Sequence, residues 1–345
     1  MLLSSLHVPG MSATSDALER PSLHVKSPGQ EVLLAAAKAG TRVVAVGERG
    51  LVLLSDDDGQ HWRQTRTPVS TTLTSIRFSD EKNGVAVGHG GCVLLTRDSG
   101  VTWTKSLDGQ RIAQLYVDAA RAKGDETALR AAQRLVSDGA DKPLLDALVM
   151  SSGRILVVGA YGIALTSDDT GKTWLPWSSK LDNPKGLHLY SVRQRGSRMA
   201  IAGEQGLILL SDDDGRTFRR SHAPYNGSFF TVELPSDHEI EVAGLRGNVW
   251  LSRDDGAQWT RIAVPIQASI TATSLMQDGS LYLASQAGYV LAQRGDGAEP
   301  INSVPLPPVA ALLPVSQSRI LVLGVQGSTL IPTVPAQPAA GTIAK

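Results

Sequence analysis

Five aspartates recur at one place in a short pattern, Ser/Thr-x-Asp-x-Gly-x-x-Trp/Phe: Asp57 with Trp62, Asp98 with Trp103, Asp169 with Trp174, Asp213 with Phe218 and Asp254 with Trp259. Aspartate can serve as general acid, nucleophile or calcium ligand. The acidic runs, such as Ser55-Asp56-Asp57-Asp58-Gly59, lack the spaced ligands and closing Glu of an EF-hand loop. A carboxylate held between Ser/Thr and Gly is instead placed to cap backbone N–H groups in a turn while the aromatic packs between sheets. These aspartates therefore read as structural. Histidines at 7, 24, 61, 89, 188, 222 and 238 show no His-x-x-x-His spacing, and Cys92 is the single cysteine, so no zinc set is written in the chain. Convergence of His89 and His188 in space remains open. Cys92 lies in an apolar run and reads as a buried thiol. No metal and no cofactor is expected.

The elements that hold these residues are repeats. Each box follows an apolar run and a Gly-x-x-Gly turn, at Gly47, Gly88, Gly159, Gly203 and Gly244, with weaker copies at Ser285 and Gly324. The spacing is about 40 residues, the length of a propeller blade, except for about thirty extra residues between the second and third copies. Because Gly-x-x-Gly joins two strands here, it does not open a helix as a phosphate loop would. Unit 1 shows the strands: 32–37, 42–46, 51–54 and 63–67, rich in Val, Leu and Ile and bounded by turn residues. The expectation is an all-β, seven-bladed β-propeller with four-stranded blades over 22–331. The last unit stops after its third strand, and 23–26 are expected to pair with it and close the ring, removing exposed edges.

Thirty-three basic and thirty-three acidic residues give zero formal charge, with no basic run to mark a nucleic-acid partner. No stretch of about 20 apolar residues is present to span a membrane. The start, Met1 to Val8, lacks a basic segment and a long apolar core, so no export signal is read there; the chain is then cytoplasmic or begins downstream of one. Residues 1–21 are expected to be a flexible N-terminus and 332–345 a disordered tail.

The extra segment, 108–142, places Ile112, Leu115, Tyr116 and Ala119 at helical spacing. Gly124-Asp125 interrupts the pattern, and Leu129, Ala132, Leu135 and Val136 resume it, so two helices are expected between blades 2 and 3. In a four-stranded antiparallel blade, the link to the next blade and the turn between second and third strands emerge on one face. The insertion and the glycine turns therefore share a face, opposite the boxes. Candidate partner-binding residues there are Arg49, His89, Tyr161, Gln205 and Arg246 in the turns, and His188, Tyr190, Tyr225 and Asn226 in the loops before blades 4 and 5. Such side chains combine apolar area with hydrogen-bonding tips. The alternative is that Tyr190 and Phe230 are inner-strand core residues.

Val-Gly-Glu-Arg-Gly-Leu-Val-Leu-Leu-Ser-Asp-Asp-Asp-Gly-Gln-His-Trp (46–62), Ala-Val-Gly-His-Gly-Gly (86–91), Gly-Ala-Tyr-Gly (159–162), Leu-Asp-Asn-Pro-Lys-Gly-Leu-His-Leu-Tyr (181–190) and Gly-Leu-Arg-Gly-Asn-Val (244–249) resemble the photosystem II stability/assembly factor family, a branch of the BNR/Asp-box repeat propellers. The helical insertion resembles its proteobacterial, non-photosynthetic branch. The resemblance implies a non-catalytic protein-binding scaffold for a membrane protein or complex, in the periplasm, with a transporter of the resistance-nodulation-division (RND) type among the implied partners. The family's photosynthetic members bind a nascent reaction-centre protein through a basic patch, matched here only by Arg49 and Arg246.

Two other readings compete. A small molecule could sit on the same face under the helices as a lid, lined by Tyr161, Tyr190, Tyr225 and His188. Asp boxes also occur in sialidases, whose chemistry needs three arginines on a substrate carboxylate and an acid/base carboxylate; the inner runs supply Arg77, Arg193 and Glu233, one arginine short.

Overall fold

The computed structural model describes residues 16–139, 141–150 and 152–333. Their strands form seven antiparallel sheets laid down one after another along the chain, six of four strands and the last of three. Each sheet is a blade of a propeller. The inner strands are Leu33–Ala39, Leu73–Phe78, Leu144–Val149, Leu189–Arg195, Phe229–Glu233, Ile270–Leu275 and Val309–Ser316. That of blade 7 lies against that of blade 1, where Lys38 Nζ donates to the Val315 carbonyl at 2.7 Å. The ring is closed.

Second strands such as Gly84–Gly88 and Ile155–Gly159 are buried along their whole length, and those of blades 1, 4 and 7 are buried beyond a leading arginine. A short apolar run without alternation is what a strand covered on both faces requires. Outer strands shrink to Arg219–Arg220 and Thr260–Arg261, both exposed. Every inner strand carries a β-bulge near the glycine-turn end, between Leu33 and Ala35 in blade 1, Leu189 and Ser191 in blade 4, Phe229 and Thr231 in blade 5, and equivalently elsewhere. The bulged residues, among them Leu34, Tyr190 and Phe230, line the mouth of the central channel.

The Asp boxes are turns closed by side chains. In blade 4, Ser211 Oγ donates to Asp213 Oδ1 at 2.8 Å and accepts from Gly215 N at 3.0 Å, while Asp213 Oδ1 accepts from Thr217 N at 2.9 Å and Oδ2 from Thr217 Oγ1 at 2.7 Å. The Thr217 backbone and hydroxyl donors hold the Asp213 carboxyl down at about 2, and those of Thr173 do the same for Asp169. Each box aromatic then packs into a cluster with the blade before it: Trp103 with Val44 and Leu54, Trp174 with Val85 and Val93, Phe218 with Leu156, Trp259 with Ala200 and Ile208. Trp62 of blade 1 completes the circuit on Leu321 and Leu323 of blade 7, its Nε1 donating to Ser328 Oγ at 2.9 Å.

The two helices fall where periodicity places them: α1 (Gly109–Lys123), N-capped by Asp108, and α2 (Glu126–Asp138), N-capped by Asp125. Gly124 ends α1 in the left-handed region at φ 65°. Cys92 is fully buried, and burial pushes its thiol up to about 12.

Ring closure differs from expectation. Residues 23–26 form no strand on blade 7, which keeps three strands. They lie along the outer strand of blade 1 instead, where the Gln64 amide donates to the Leu23 carbonyl and accepts from Val25 N. The turn Pro28–Gln30 packs on the last strand, Gly327–Pro332, so closely that a side chain at Gly327 would strike the Gly29 carbonyl. Of the expected flexible N-terminus, residues 16–21 are docked: Leu18 is buried and Lys105 bonds the Leu18 carbonyl and the Glu19 carboxylate. Residues 1–15 lie outside the described residues. Of the expected tail, Pro332 and Thr333 are placed, with Thr333 buried, and the rest lies outside.

Candidate binding face

The five complete glycine turns place their third residue in the left-handed region. Four of those residues are not glycine: Arg49 (φ 55°), Tyr161 (φ 57°), Gln205 (φ 52°) and Arg246 (φ 58°), all exposed. That conformation costs about 1–2 kcal/mol per L-residue. The second glycine cannot be replaced without collision in four of the five turns, as at Gly50, where a Cβ would lie 2.1 Å from the Val69 carbonyl oxygen, and Gly162 leaves a Cβ only 3.0 Å from the Asn183 amide. In blade 2 the third position is Gly90, so His89 sits one residue earlier than its supposed counterparts; it is exposed, its N–H donating to the Thr72 carbonyl at 2.9 Å.

An aromatic string crosses blades 3, 4 and 5. The Tyr161 and His188 rings are 5.0 Å apart, His188 and Tyr190 6.1 Å, and Tyr190 and Phe230 5.3 Å. Lys142 Nζ caps the string 5.1 Å above the Tyr161 ring. His188 is fixed by its Nδ1, which accepts from Tyr161 N at 3.1 Å, and its own N–H donates to Glu204 Oε2 at 3.2 Å. Tyr190 and Phe230 are half-buried bulge residues at the channel mouth, whereas Phe229 beside them is the core residue. Tyr225 does not join the string: its ring folds back on Phe229 and over Gly227, leaving Asn226 exposed at the loop tip. Arg49 and His89 lie on blades 1 and 2 of the same face, and Arg246 lies in the turn of blade 5. Sequence reasoning missed Lys142 and left Phe230 open between this face and the core.

Between α2 and the Tyr161 turn is a cleft of about 470 Å³. Ala128, Ala131 and Leu135 of α2 form one wall, Tyr116 and Ile163 the floor, and Tyr161 and Asn183 the rim. Tyr116 fastens α1 to blade 3, its hydroxyl donating to the Ala164 carbonyl and accepting from Ala164 N, both at 3.1 Å. Of the four residues expected under a lid, only Tyr161 lines this cleft.

Inside the channel, Arg77 and Arg193 both grip Asp146, at 2.9 and 2.6 Å, and Arg193 also reaches Glu233 at 3.3 Å. Burial pushes the Asp146 carboxyl up, but the Arg77 and Arg193 guanidiniums outweigh it and hold it below the usual range. The two arginines counted as candidates for a substrate clamp thus already hold internal carboxylates. Asp146 was the missed partner; its only sequence signal was an acid inside the apolar run Leu144–Val149. Among the described residues, no three His, Cys, Asp or Glu side chains converge as a metal set, and no helix is long and apolar enough to cross a membrane.

Comparison with known proteins fits this description. No curated protein matches the chain. The solved structure "YCF48 bound to D1 peptide" superposes with a TM-score of 0.66 at 15% identity, covering 92% of this chain and 100% of that one. The WD40 propeller domain of Doa1 gives 0.65 at 11%, covering 94% and 97%. A GH74 xyloglucanase from Xanthomonas campestris gives 0.63 at 13%, covering 88% of this chain and 52% of its own. At these identities the likeness is one of fold. Residues 129–284 match the family model described as photosynthesis system II assembly factor YCF48, and that match bears out the likeness to the photosystem II assembly factor-like propellers carried by the repeats and turns.

Proposed function

We propose that the protein is a non-catalytic scaffold that holds a protein segment on its glycine-turn face. The observation that carries this reading is the ring of strained turns, in which Arg49, Tyr161, Gln205 and Arg246 occupy a conformation that glycine adopts freely. The aromatic string beside them offers an adhesive surface with polar tips, the composition of an interface. The D1 peptide bound by YCF48 supports a partner of the same class, a membrane protein or complex. An RND-type transporter and a periplasmic location follow from the resemblance to the proteobacterial branch.

The test is affinity capture from gently solubilised native membranes, read by mass spectrometry, with an Arg49→Glu/Arg246→Glu variant as control. A membrane protein recovered by the wild type and lost by the equally stable variant is the expected result. Equal recovery by both would remove this face as the binding site.

The cleft of about 470 Å³ under α2 favours a second reading, a small-molecule site on the same face. Substituting Ala131→Trp would fill it. Loss of a ligand with retained capture of the membrane partner would separate the two functions.

A further inference from the structure

Six of the seven second strands place an apolar residue three positions before the glycine turn: Val44, Val85, Leu156, Ala200, Tyr282 and Leu321, all buried. In blade 5 that residue is Glu241, buried to 1% exposure. The position matters because it faces the next blade. Val44, Val85, Leu156, Ala200 and Leu321 each share a cluster with the box aromatic of the following blade. Blades 6 and 7 have no box, so two interfaces lack their aromatic plug. At the blade 6 to blade 7 interface, Tyr282 supplies the missing bulk itself and its hydroxyl donates to the Thr333 carbonyl at 3.0 Å. At the blade 5 to blade 6 interface no aromatic replaces it in the aliphatic cluster, and a cleft of about 210 Å³ stands there.

Glu241 lines this cleft with both carboxylate oxygens lacking a hydrogen-bond partner among the described residues, and so does Gln293 with its side-chain oxygen. Leu251 and Leu281 supply apolar walls, Glu239 and Arg253 stand at the side, and Gly279 and Gly295 form an exposed lip. With Glu241 ionised, three buried acceptors without a donor cost free energy unless a donor enters. A primary ammonium carries three N–H donors and one positive charge, which matches three acceptors and one carboxylate. A divalent cation would require more oxygen ligands than this set provides.

We propose that the cleft between blades 5 and 6 binds a primary ammonium group, with Glu241 as counter-ion and Gln293 as the third acceptor. The site lies at the hairpins of the box face, so it is separate from the glycine-turn face and does not depend on the function proposed for it. Empty, the Glu241 carboxyl is pushed up to about 8 by burial, against the pull of Gln293, which lies adjacent but outside hydrogen-bond geometry, with Glu233 and Glu239 pushing in the same direction as burial. The Glu233 charge is met by Arg193.

Titration calorimetry on the whole protein at pH 8.5 tests this with n-butylammonium, tetramethylammonium and calcium as probes, alongside a short peptide bearing one lysine. Butylammonium is expected to bind and tetramethylammonium, which has no N–H, to bind at least tenfold more weakly. Glu241→Gln, verified as folded by its thermal midpoint, is expected to lose at least tenfold in affinity. The peptide distinguishes sources: binding at least as tight as butylammonium assigns the site to a partner's lysine, and weaker binding assigns it to a free amine. Absence of butylammonium binding at millimolar concentration, equal binding by tetramethylammonium, preference for calcium, or unchanged affinity in Glu241→Gln would each overturn the proposal.

Discussion

The backbone N–H of Tyr161 donates to His188 Nδ1 at 3.1 Å, tying the turn of blade 3 to the loop that opens blade 4. With Nδ1 accepting, the neutral ring carries its proton on Nε2. His188→Phe would keep the stacked ring between Tyr161 and Tyr190 but remove the acceptor. The expected loss is about 0.5–1.5 kcal/mol, read from urea unfolding. Hydrogen exchange at the Tyr161 amide should accelerate while amides in the second strand of blade 3 stay unchanged.

Arg246→Gly should separate stability from binding. Removing an L-residue from φ 58° relieves backbone strain, partly offset by glycine's greater unfolded-state entropy, for a net gain of up to about 1 kcal/mol. Under the scaffold reading the same change should weaken capture of the membrane partner. A variant both more stable and fully competent in capture would argue against Arg246 as a contact.

Acid should dismantle the boxes. Asp169 and Asp213 titrate at about 2 in the folded protein against an ordinary value of 3.8. A depressed folded value contributes stability above pH 3.8 that is lost as pH falls toward 2. The Asp169→Asn/Asp213→Asn variant should therefore have a lower urea midpoint at pH 7 and a flatter decline between pH 4 and pH 2 than the wild type.

Trp103→Ala should be costly. The side chain is 7% exposed, packs on Val44 and Leu54 of blade 1, and donates from Nε1 to the Gly100 carbonyl at 2.9 Å. Truncation should lower stability by about 3–5 kcal/mol, measured by chemical denaturation.

Repeats made most of the fold readable in advance. Ile112, Leu115 and Tyr116 announce α1 because a helix needs only local periodicity, and the paired glycines announce turns because Gly50 and Gly91 occupy left-handed backbone beside neighbouring chain. What stayed hidden depends on distance or on one extra residue. Asp146 and Arg193 are 47 positions apart, and nothing local links them. The bulges that turn Tyr190 and Phe230 to the channel mouth add one residue to a strand without altering its composition. The docking of Leu18 had only one apolar side chain in a polar stretch to announce it, the rest being backbone and Lys105 hydrogen bonds to distant residues.

Each box aromatic serves the blade made before it, which gives the ring an order of completion. During synthesis a blade gains its cover only when the next one has left the ribosome. Blade 1 is the exception in the opposite sense: Trp62 emerges early and must wait for Ser328, 266 residues later. A nascent chain therefore carries one uncovered apolar flank until translation is almost finished, and the protein's exposure to chaperones and to premature termination is set by its final blade.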